Sequence, residues 1–183
     1  MYRSLVNIAL GLCLIMLICC LTGCEEPVVE VDPADVSLID HYVEELTLAL
    51  LDVEPDLLGW VREPYSENFP LTYNEERIAL LAGHLDIINR IRDKRQKEGF
   101  PPETVISEWQ VIVARDGDEW FLEGPVVVEA LARLEDLSDR VEMAIETIIE
   151  QEGTLDVEQS NGIITLLEEL APEVDEIRAV FYQ

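Results

Sequence analysis

The pattern that most constrains this chain is an apolar stripe over residues 127–148. Val127, Leu131, Leu134, Ser138, Val141, Ile145 and Ile148 follow one another at alternating steps of four and three. At 3.6 residues per turn they fall on one side of an α-helix, and the other sides are mostly polar. Three more stretches repeat the pattern. The first is Val36, Ile39, Val43, Leu46 and Leu50. The second is Ile78, Leu81, Leu85 and Ile88. The last is Ile163, Leu167, Leu170, Val174, Ile177 and Phe181. A helix with one apolar side must bury it against another element. Four such helices in one chain predict an all-α fold, an antiparallel four-helix bundle over residues 36–183.

Local signals set the expected ends. The first helix should start near Asp35 or Ser37 and run to about Asp52. Thr72-Tyr-Asn-Glu75 has the spacing of a capping box, so the second helix is expected from Thr72 to Gly99. Gly124-Pro125 suits the first turn of the long third helix, which should stop at Gly153. The last helix should begin near Thr154 or Ser160. Pro172 lies inside it and predicts a kink or a restart.

Two segments lie outside the stripes. Residues 53–71 carry three prolines together with Trp60, Tyr65 and Phe69. A connection this long between helices is uncommon and often functional, so this loop is the expected partner-binding element. Residues 100–124 form a short helical or β-hairpin insert. Asp116-Gly117 between Val111–Arg115 and Glu119–Leu122 suits a hairpin turn. Val105, Ile106, Trp109, Ile112 and Val113 also fit a helix behind Pro101-Pro102. The helix is preferred, because an isolated hairpin is only marginally stable.

The chain is very acidic, with 12 Lys+Arg against 39 Asp+Glu and a net charge of −27. Such a surface repels phosphate backbones, which argues against a nucleic-acid partner. Apolar residues make up 49% of the chain. Their periodicity argues against disorder, the other reading of high net charge.

The N-terminus sets an address. Arg3 precedes Leu5–Leu21, which is apolar except for Asn7, and Leu21-Thr22-Gly23-Cys24 follows. A positive start and an apolar run read as a secretory signal. The last four residues resemble the lipobox of bacterial lipoproteins: Leu, a small or polar residue, Gly or Ala, then Cys. The resemblance implies a signal peptide over residues 1–23 and a lipidation site at Cys24. That cysteine would carry a diacylglyceryl and N-acyl membrane anchor, in the cell membrane or the outer membrane. It also implies that Cys13, Cys19 and Cys20 leave with the signal, so no disulfide remains and the domain must be stabilised by packing. Residues 24–35, with five acids and two prolines, then form an acidic tether. It could span ~30 Å at ~3.3 Å per residue.

The search for chemistry finds little. Neither His41 nor His84 has a Glu three residues before it, so the di-metal pattern of bundles is missing. Asp116-Gly-Asp118 starts like a calcium loop without its closing Glu. No metal or other cofactor is expected. One constellation remains. Arg90, Arg92, Lys94, Arg95 and Lys97 concentrate basic charge where the second helix ends. An antiparallel second helix ends near the tether, so these five predict a membrane-facing basic cluster beside anionic headgroups. Trp109, Trp120 and Phe121 in the insert would serve as interfacial aromatics. The expectation is a lipid-anchored cell-envelope protein, a non-enzymatic binding or scaffolding module with a possible envelope protein partner. A low-affinity divalent-cation binder using surface carboxylates is the second expectation. An enzyme is the third, and no catalytic set supports it.

Overall fold

A computed structural model describes residues 31–58, 70–115 and 118–182. Among these residues the protein is mostly helical, with five helices and one two-stranded sheet. Helix α1 spans Pro33–Leu57. Asp32 caps it, its side chain accepting the Ala34 N–H at 2.8 Å, and Pro33 sits where its missing N–H costs nothing. Helix α2 spans Glu75–Lys97, with Glu75 and Glu76 in the first turn and Lys94, Arg95 and Lys97 in the last, each sign matched to the helix dipole. Helix α3 is one turn, Glu103–Ile106. Strands β1 (Gln110–Arg115) and β2 (Asp118–Glu123) pair antiparallel, with Val111 opposite Leu122 and Ile112 opposite Phe121. Helix α4 spans Gly124–Glu150. Helix α5 spans Val157–Phe181 and starts with a capping box between Asp156 and Gln159.

The four stripes face the core. Val43, Leu46, Leu50, Leu81, Ile88, Leu134, Val141, Ile145, Leu170, Val174 and Ile177 are fully buried. Helix α1 packs against α2, α4 and α5; α4 packs against α2 and α5; α3 and β2 lie on α4. Cross-helix pairs give the directions. Lys94 meets Glu45 while His84 meets Asp56, so α1 and α2 run oppositely. Arg95 meets Glu135 while Arg92 meets Asp139, so α2 and α4 do too. Arg133 meets Glu176 while Arg140 meets Glu169, which sets α4 against α5 the same way.

Several local expectations are corrected. Residues 110–115 and 118–123 form paired strands, not a helix, and only the one helical turn of α3 precedes them. The hairpin does not stand alone. Leu122 and the partly buried Val111 turn one of its faces into the core, and this packing supplies the stability that an isolated pair lacks. The cap of α2 is Asn74, whose side chain accepts the Arg77 N–H at 2.9 Å. Thr72 bridges instead to Thr154 across the fold. Helix α1 continues past Asp52 and through Pro55 to Leu57. Helix α5 continues through Pro172 without a restart. Pro172 and Glu168 are exposed, so water can reach the carbonyl that the proline leaves without a donor. The expected glycine stops hold, with φ of 73° at Gly99 and 76° at Gly153.

Candidate functional site

The N-terminal end of α1 lies beside the C-terminal end of α2. Tyr42 meets the Phe100 ring edge-on at 5.4 Å, and the Tyr182 hydroxyl donates to the Asp40 carbonyl at 3.2 Å. The hairpin joins the same end, where the Gly124 N–H donates to the Trp109 carbonyl at 2.9 Å. A Cβ on Gly124 would overlap the Ile106 carbonyl, so only glycine lets α4 start this close to α3.

The structure divides the five basic residues of α2. Arg92 and Arg95 turn inward to α4. Arg92 contacts Asp139 at 2.6 Å, Glu142 at 2.7 Å and Glu135 at 3.5 Å. Burial works against its charge, but Asp139, Glu135 and Glu142 outweigh it and hold the guanidinium above its ordinary value. Arg95 pairs with Glu135 and lies over the rings of Phe100, at 4.6 Å, and Tyr42, at 5.2 Å. The Tyr42 hydroxyl donates to the same Glu135 oxygen. Burial, then Glu135, raises the Tyr42 pKa well above its usual value and keeps the phenol neutral. These groups edge a cleft of about 360 Å3 lined by Arg92, Arg95, Gln96, Gly99, Phe100 and Glu135. Lys94 turns to Glu45 on α1 at 3.2 Å. Arg90 and Lys97 remain at the surface, each beside an acid one turn earlier, Asp86 and Asp93. Chemically, this is a clamp that joins α1, α2 and α4. Its cations are already matched by carboxylates, and its phenol acts as a fixed donor.

The aromatics also separate. Trp109, expected at an interface, is in the core with 2% of its surface exposed, because it supports the hairpin beside Ile106. Phe121 is 53% exposed and its cross-strand neighbour Ile112 is 66% exposed, so the outer hairpin face carries an exposed apolar pair. The Trp120 backbone lies in β2, and its side chain lies outside the described residues. Cys24, Trp60, Tyr65 and Phe69 also lie outside them.

At the opposite end, Asp56 receives His84 at 3.0 Å and Arg77 at 3.8 Å. The buried Tyr73 hydroxyl donates to the Leu57 carbonyl at 2.7 Å, and the Tyr73 N–H donates to Gly153 at 2.8 Å. Desolvation raises the Tyr73 pKa as well.

Sequence reasoning missed Tyr42 and Glu135, whose roles depend on contacts between distant helices. It also passed over a second stripe on α2 that was there to be found. Glu76, Leu80, Gly83, Ile87, Arg90 and Lys94 step by four and three along the helix. Leu80 is 51% exposed and Ile87 42%. Among the described residues no group of three or more His, Cys, Asp or Glu is placed to hold a metal ion, and no helix is long and apolar enough to cross a membrane. Comparison with family models, curated proteins and solved structures returns no match for this chain.

Proposed function

We propose that this protein is a lipid-anchored, non-enzymatic binding or scaffolding module of the bacterial cell envelope. In this reading its four long helices form an antiparallel four-helix bundle, carried on the tether that follows Cys24. The observation that supports a binding role is the outward hairpin face. Ile112 and Phe121 lie opposite each other on it, and Val126 is exposed nearby at the start of α4. Exposed apolar clusters of this kind mark contact surfaces. The pairing of α1 against α2 favours the topology in which the hairpin and the tether share one end. Leu58 and Pro70, which flank the segment with Trp60, Tyr65 and Phe69, lie at the other end, and that segment is the second proposed contact element.

The anchor is tested by the intact mass of the chain made in a bacterial host. A mature protein starting at Cys24 with diacylglyceryl and N-acyl groups is expected, and a Cys24→Ala variant should lack them. A chain retaining Met1, or one starting at Cys24 without added mass, overturns the anchored reading. The binding role is tested by a photo-crosslinking residue at Phe121. One defined envelope adduct, lost in Ile112→Asp, is expected; no adduct at position 121 counts against the hairpin face.

A further inference from the structure

The second stripe of α2 faces away from the core. Glu76, Leu80, Gly83, Ile87 and Arg90 are all exposed, and a Cβ on Gly83 would meet open space. Ala79 and Ala82 are exposed beside them. The centre of this face is therefore apolar and low, with an acid at its N-terminal end and a cation at its C-terminal end. Steps of four and three are those of helices that pack side by side. A shallow groove lined by Glu45, Ile87, Arg90, Ile91 and Lys94 runs along its edge.

We infer that this face pairs with the same face of a second copy of the chain, with the two α2 helices antiparallel. A two-fold axis passing between Gly83 and His84 sets Leu80 opposite Ile87 of the second copy. It also brings Glu76 beside Arg90 of the second copy, and two-fold symmetry repeats both contacts. Gly83 lies next to the axis, where the backbones approach most closely. A parallel pair would instead set Arg90 against Arg90 and Glu76 against Glu76. Charge selects this surface from the rest of the molecule. Among the described residues the exposed cations, Arg90 and Lys97, both lie on α2, whereas α1 has seven acids and no Lys or Arg. In a chain of net charge −27, two copies repel least where this helix meets itself. One helix face per copy is a small interface, below about 1,200 Å2 in total, of the size found in weak, transient associations.

The test is sedimentation of the full chain in density-matched detergent, from about 1 μM to about 1 mM, a range chosen to bracket interfaces of this size. The wild type is expected to reach the mass of two copies. Leu80→Asp, Glu76→Arg alone and Arg90→Glu alone should each stay at one. The double exchange Glu76→Arg with Arg90→Glu should return to two, because it restores both cross-pairs. All these positions are exposed, and far-UV circular dichroism checks that each variant keeps its helices. A wild type that stays at one copy throughout overturns the proposal. So does a pair that survives the single exchanges, or a double exchange that fails to recover it.

Discussion

Helices α2 and α4 are neighbours of similar length held by different forces. Ten residues of α4 are buried: Gly124, Val127, Ala130, Leu131, Leu134, Leu137, Ser138, Val141, Ile145 and Ile148. In α2 only Leu81 and Ile88 are buried. What α2 lacks in apolar area it replaces with pairs to both flanking helices: Lys94 to Glu45, Arg77 and His84 to Asp56, and Arg92 and Arg95 to the acids of α4. Apolar burial sets how much stability a helix contributes. Matched charges contribute less, but they specify which neighbour and which direction. Like-signed carboxylates on α1 and α4 would repel at close range, and the basic helix between them relieves that repulsion.

Breaking the comparison from the apolar side should give the largest effect. Leu134→Ala opens a cavity in the core and should cost about 2–5 kcal/mol in urea unfolding. Leu80→Ala, on the exposed face of α2, should stay within about 0.5 kcal/mol. Equal losses would show that the two helices are not distinguished by burial. Next comes Glu135→Gln, which leaves Arg92, Arg95 and Tyr42 sharing a neutral acceptor. These groups are about three-quarters buried, so a loss on the order of 1–3 kcal/mol is expected. Hydrogen exchange sharpens the point. Amides of α2 should open sooner in high salt while those of α4 hold, since screening acts on the pairs and not on the core.

Alkaline pH probes the ends. Tyr42 and Tyr73 hold their protons more tightly in the folded state, so their pKa values rise above the unfolded value of about 10. Their contribution is complete below pH ~10 and is lost as pH climbs from there toward the folded values. Thermal midpoints should fall above pH ~10, and the fall should be shallower in Tyr42→Phe and Tyr73→Phe. The smallest effect belongs to Ser138, whose buried Oγ has no hydrogen-bond partner among the described residues. Ser138→Ala removes that unpaired group and should raise stability by up to about 1 kcal/mol. A lower midpoint would mean that its hydroxyl is satisfied in solution.

The sequence carries the α4 comparison openly, because its stripe is regular and its stop signals are local. The stripes of α1 and α5 are legible for the same reason. What escapes depends on residues far away in the chain. Thr72 has the capping-box spacing, but Asn74 caps α2 because Thr72 is held in a bridge to Thr154. Residues 105–113 fit helix or strand by apolar spacing alone. The hairpin wins because Val111 and Leu122 find a core to cover. The basic cluster looks free because its partners, Glu135, Asp139 and Glu142, lie some forty to fifty residues further on. Helix dipole arguments place those cations correctly along α2 and say nothing about the side they choose.

The clamp around Tyr73 has one more consequence. Its hydroxyl ties to Leu57, its N–H to Gly153, and the Leu71 N–H to the Ser160 hydroxyl at 2.9 Å. Both ends of the segment between residues 58 and 70 are thus fastened to the framework independently of what lies between them. Once a loop's ends are fixed, doubling its length costs only about 0.6 kcal/mol of closure entropy. Length added between these two anchored ends therefore carries only a small closure cost, and the contacts that fasten Leu71 and Tyr73 to Leu57, Gly153 and Ser160 do not depend on it.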